Sequence, residues 1–165
     1  MNSIDLIRSN LARSRDLVLK GIEDMDGHAL VPPTPRGGGH TLWVLGHLAC
    51  VEGLVVHRFM RGEANPLADW EAVFDGEDVS AEPADYPSFE EVLARCREMR
   101  AATLALIEVL KEEDLDRPAA ACPAGWEEIF GSWRSCLQYL ADHFFMHRGQ
   151  LADARRAAGL DRMWV

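Results

Sequence analysis

Apolar residues recur at intervals of three and four through four separate stretches of this chain, about 3–25, 40–61, 88–111 and 132–158. That interval collects them on one face of a helix, which must then be buried against another element. In the first stretch Ile4, Ile7, Leu11, Val18 and Ile22 form such a stripe. No stretch alternates apolar with polar residues as a half-buried strand does, so the pattern predicts an all-α fold, a four-helix bundle. Two helix ends are also readable. Ser88 and Glu91 in "SFEE" match a capping box, and Gly159 after "RRAA" supplies a left-handed stop with cations in the last turn.

The connections carry their own information. "VPPTPRGGG" breaks the chain after the first helix. The connection 62–87 is too long for a hairpin and long enough to recross a helix of about 33 Å, so the second and third helices could run parallel across a long crossover. Within it, "LADWEAVF" reads as a short extra helix. A chain of 165 residues can bury one sufficient core, which predicts a single domain over 1–165.

Charge and apolar run length exclude two function classes. The chain has 17 basic and 27 acidic residues, a net charge of −10, which repels a phosphate backbone; no nucleic-acid partner is expected. The apolar runs "TLWVL", "EGLVV" and "AATLALI" fall short of the roughly 20 residues that span a bilayer, so no membrane partner is expected either. The N-terminal stretch scatters charges through its apolar positions without a signal-peptide core, and a cytoplasmic location is expected. Cys50, Cys96, Cys122 and Cys136 show no close pairing and read as reduced, mostly buried thiols.

The stretch "HFFMHRGQL" places His143 and His147 four apart in the last helix, where they stack one turn above the other and can converge on one ion. Taken alone, that spacing more often marks packing. "LWVLGHLACVE" adds His47 among apolar neighbours, where it is expected to face the interior and needs a partner. Two packed helices lie ~8–10 Å apart, close enough for His47 to complete a set of three nitrogen donors with an open position. His57 and His40 are about 15 and 10 Å from His47 along the same helix and cannot share that ion. His28 falls in a loop.

Other positions have two readings each. Cys50, three residues after His47, is a core thiol or a fourth donor near the site. Trp43 and Tyr139 each precede a histidine by four and either pack or line a cavity. Gln150 stays near the ligand face as a partner behind His147, whereas Arg148 diverges from it by about 100° per residue and reads as a surface or interface ion-pair residue. Trp126 and Trp133 are placed to cover the bundle end. Phe144 follows His143 where HExxH would need glutamate, and no Glu-x-x-His motif precedes any of the three histidines, so neither a zincin nor a di-iron carboxylate bundle is expected.

"LGHLACVE" together with the terminal "HFFMHRGQLADARRAAG" resembles the DinB-like superfamily of bacterial four-helix bundles, and the similarity spans nearly the whole chain. The resemblance implies an up-down-down-up bundle, often a homodimer. It implies a divalent metal ion, zinc or nickel, held by the histidine of the second helix and the pair in the fourth: here His47, His143 and His147. It further implies a metal-dependent transferase or isomerase that activates a low-molecular-weight thiol, such as mycothiol or bacillithiol, for attack on an electrophile. No separate thiol-binding domain is expected beyond the bundle. The alternatives are a non-enzymatic metal or small-ligand binding protein of the stress response, and a plain helical dimer with packed histidines.

Overall fold

A computed structural model of the chain describes residues 2–76 and 79–163. Four long helices carry the fold: α1 (Ser3–Lys20), α2 (Thr41–Gly53), α4 (Phe89–Val109) and α6 (Trp133–Ala157). Two four-residue helices stand between them, α3 (Glu71–Phe74) in the long crossover and α5 (Glu127–Phe130) before α6. No strand is present among the described residues. The fold is an all-α bundle.

The caps follow the side chains available. Asn2 accepts from the Asp5 N–H ahead of α1, and Ser132 and Ser135 exchange bonds in a full capping box at α6. At α4 the Glu91 N–H donates to Ser88 Oγ at 3.2 Å, which is the backbone half of the expected box. Gly159 takes φ +74°, the left-handed geometry that ends a helix without Cβ strain.

Two expected boundaries move. The first helix stops at Lys20 rather than near Met25. Ile22 and Met25 stay buried, but in turns closed by bonds such as Met25 N–H to Ile22 O; a turn of period three preserves the apolar recurrence of a helix, so the pattern alone does not mark the change. The second helix is α-helical only to Gly53 and continues as a wider π-helical stretch over Leu54–Met60. Met60 O at its end accepts from Trp133 Nε1 at 3.2 Å. Trp133 therefore ties α6 to this end of the bundle, whereas Trp126 is 53% exposed and does not cover it as expected.

Specific contacts fix the senses of neighbouring helices. The Ile4 N–H reaches Glu112 beyond the end of α4, while Leu11 and Ser14 meet Arg100 in its middle, so α1 and α4 run in opposite senses. Arg134 meets the same Glu112, and Arg155 bonds Gly21 O and Asp24 at the other end, so α1 and α6 run side by side in one sense. The Trp133–Met60 and His143–His47 contacts make α2 and α6 antiparallel.

Every residue of α2 is buried except His47. A helix apolar on all sides has no amphipathic stripe, because it is surrounded. The sequence expectation that no apolar stretch reaches membrane-spanning length is corrected here: Thr41–Met60 is 20 residues long and apolar enough to cross a bilayer by length and composition. Its best window is 72% buried inside the bundle, which accounts for the composition as that of a core helix.

Candidate metal centre

His47 on α2 and His143 and His147 on α6 meet in the bundle. His143 Nε2 lies 3.2 Å from His47 Nε2 and 3.0 Å from His147 Nε2. The ligand atoms of all three lie within 4.8 Å of one another. Two nitrogens bound at ~2.0–2.1 Å to one tetrahedral ion would stand roughly 3.3 Å apart, so the spacing fits a common cation. His143 and His147 are buried, and His47 is half-buried. His47 turns its ring inward toward the other two, and it is half-buried rather than fully enclosed.

The outer nitrogens decide what the inner ones can do. Phe74 O lies 2.7 Å from His47 Nδ1, and Gln150 Oε1 lies 2.6 Å from His147 Nδ1. Both oxygens are acceptors, so both Nδ1 atoms carry the proton and both Nε2 atoms present lone pairs inward. His143 Nε2 faces both lone pairs and has at most one proton to share between them. Its Nδ1 is buried with no hydrogen-bond partner among the described residues. A cation between the three rings would turn this crowding of lone pairs into three favourable bonds, and the donor set of neutral imidazoles suits a zinc-like ion.

Aromatic neighbours hold two of the rings. Trp43 stacks on His47 at 4.7 Å and 9°, with its Nε1–H on Val73 O, and Tyr139 stacks on His143 at 5.2 Å and 17°. Both residues support the site by packing. Cys50 stands apart from the convergent atoms. Its Sγ faces Leu67 O and Asn65, and burial pushes the thiol up to about 12, so it is a packed thiol rather than a fourth donor. Arg148 is half-buried, and its Nε has no hydrogen-bond partner among the described residues. His40 caps α2 by accepting from the Trp43 N–H, and His57 pairs with Glu63.

A family model of the DinB superfamily matches residues 10–151. The chain belongs to the DinB superfamily. No curated protein matches it. As a DinB bundle it has a close histidine cluster compatible with metal binding, and the cluster joins the two motifs, "LGH" and "HFFMH", that carry the resemblance.

Two contributors to this DinB site are not in the sequence motifs. Phe74 supplies the main-chain carbonyl that orients His47, and Asp75 beside it places a negative charge near His47 and Tyr139. The available signal is Gly46. A Cβ there would lie 2.5 Å or less from three ring carbons of Phe74, so a glycine directly before a histidine on a buried helix marks a close approach.

Desolvation holds all three imidazoles below the ordinary value of 6.5. His143 is pushed to about 2 by burial first and then by the charges of its neighbours, and His147 to about 4 by burial and His47. The unfolded chain therefore binds more protons below pH 6.5 than the folded one. The unfolding free energy of the metal-free DinB bundle should fall as pH drops from about 6.5, for His147 down to about 4 and for His143 down to about 2. Each ring contributes a slope approaching ~1.4 kcal/mol per pH unit. Urea midpoints of chelator-treated protein at about pH 7.5, 6 and 5 check this: a steady decline is expected, and a flat series would mean that the rings are not buried as neutral groups.

Proposed function

We propose that this DinB-superfamily chain holds one divalent ion, zinc or nickel, on His47, His143 and His147 and acts as a metal-dependent transferase that joins a low-molecular-weight thiol to an electrophile. The observation that carries the metal reading is the convergence of three Nε2 atoms, two of them fixed as lone-pair donors by Phe74 O and Gln150 Oε1. Three protein donors leave room for an exogenous ligand, the pattern of catalytic rather than structural sites. When bound, a divalent cation favours the deprotonated, nucleophilic form of a thiol at neutral pH.

The protein's own residues supply the rest. Burial keeps the three imidazoles neutral and ready to donate at neutral pH. Trp43 and Tyr139 restrict ring rotation by stacking, so the donors do not have to be ordered when an ion arrives. His47, half-buried at the edge of the cluster, is the side from which a small molecule would approach.

Elemental analysis of protein purified without a histidine tag should show about one divalent ion per chain. Incubation with candidate thiols and electrophiles should then give conjugation that a chelator stops and His47→Ala removes. Activity that persists in His47→Ala rules out the proposed role. A stoichiometric ion with no turnover across the panel supports the non-enzymatic binding protein instead, and a chain purified and titrated without ion uptake leaves packed histidines.

A further inference from the structure

The crossover between α2 and α4 does more than connect them. Its short helix α3 presses on α2 at one place: the Phe74 ring lies against Gly46, where a side chain would overlap it. Phe74 is fully buried and packs against Trp70 at 5.1 Å and Tyr86 at 5.7 Å. Its carbonyl, on the same residue, lies 2.7 Å from His47 Nδ1. Gly46 and His47 are adjacent, so ring seat and carbonyl contact form one two-point dock. A second close approach lies about two turns further along α2: a Cβ on Gly53 would collide with Asn65, whose amide also bonds Cys50 O and Glu71.

We infer that Phe74 is a positioning residue for the metal site, its ring seated on Gly46 so that its main-chain carbonyl fixes the tautomer and rotation of His47. Ion affinity is thereby coupled to the docking of α3 on α2. This rests on the proposed metal reading for its functional meaning, while the coupling itself belongs to the metal-free protein. The physical basis is the outer hydrogen bond of a ligating histidine, which selects the nitrogen that stays free and aims it; loss of such a partner typically costs 10–100-fold in metal affinity. Unlike Gln150, which reaches His147 from the next turn of the same helix, Phe74 O comes from a separate element, 27 residues away in sequence.

Two variants separate positioning from packing. Gly46→Ala puts a methyl group where the ring sits, and Phe74→Leu shortens the wedge. In metal-free protein, long-range 1H–15N spectra should show His47 as the Nδ1–H tautomer, and in Gly46→Ala as a mixture with the Nε2–H form. Competition of Ni(II) against a chelator should show affinity down by roughly 10–100-fold in Gly46→Ala, with helical circular dichroism unchanged. The double variant restores room for the dock, so its affinity and its His47 tautomer should return toward wild type, a coupling that independent losses do not produce. The inference is overturned if Gly46→Ala leaves the His47 tautomer as in wild type, or if the double variant loses at least the sum of the single effects. Failure of the wild type to bind Ni(II) would instead overturn the metal reading, and the tautomer experiment would still decide the coupling.

Discussion

Replacing His143 by leucine should abolish ion binding while leaving the metal-free bundle as stable as before, or more so. His143 is the centre of the cluster, since its Nε2 is within 3.2 Å of the inner nitrogens of both other rings. Loss of a direct donor should cost more than the roughly 100-fold at the upper end for outer-shell partners. The stability side follows from what the ring lacks. It is 3% exposed, its Nδ1 has no partner among the described residues, and burial drives it to about 2. A buried polar group left unsatisfied costs about 1–3 kcal/mol, which a leucine of similar size does not incur. Chelator competition and thermal melts of metal-free protein check both halves together. A histidine that merely packs would give the reverse: unchanged ion uptake, and a melting temperature lowered by several degrees.

The second large effect lies at Arg100, which is fully buried at 0% exposure. From α4 its Nε donates to Glu52 of α2 at 2.9 Å, Nη1 to Leu11 O and Ser14 Oγ of α1, and Nη2 to Leu140 O of α6, with Cζ 3.6 Å above the Phe144 ring. One guanidinium thus joins all four long helices, at the level where the two apolar clusters of the core meet. Burial raises Glu52 above the usual carboxylate range, opposed by the charge of Arg100. Arg100→Met strands that carboxylate in the core, and breaking such a pair typically costs about 3–5 kcal/mol. The paired change Arg100→Met with Glu52→Leu removes both charges and should recover most of the loss, since buried pairs replaced by apolar residues are often neutral or stabilising. Urea denaturation of the three proteins tests this; a single variant within about 0.5 kcal/mol of wild type would mean that the pair does not bear on stability.

Nothing in the linear pattern singles out Arg100, which looks like one more charge on a helix with charges on its outer face. Glu52 is the one carboxylate in the apolar stretch from His40 to Met60, but its sequence neighbours do not say which cation it meets. The histidines were legible for the opposite reason. A four-residue spacing is a local geometric fact of the helix, and a histidine among apolar neighbours is a local anomaly. The stop at Gly159 and the short helix in the crossover were legible on the same grounds, as conformations set by a few adjacent residues.

Long-range positions behave differently. The Phe74 carbonyl and the half-open face of His47 depend on how the crossover settles on α2, 27 residues away in sequence from the ring that it orients. The displacement of Cys50 toward Leu67 and Asn65 has the same origin. Periodicity and caps, acting over one or two turns, determined that this chain is helical and which histidines lie on a common stripe. Which carbonyl holds each ring, and which buried charge ties the bundle, only the packed tertiary structure decided, because those energies arise between groups that the chain brings together after its helices exist.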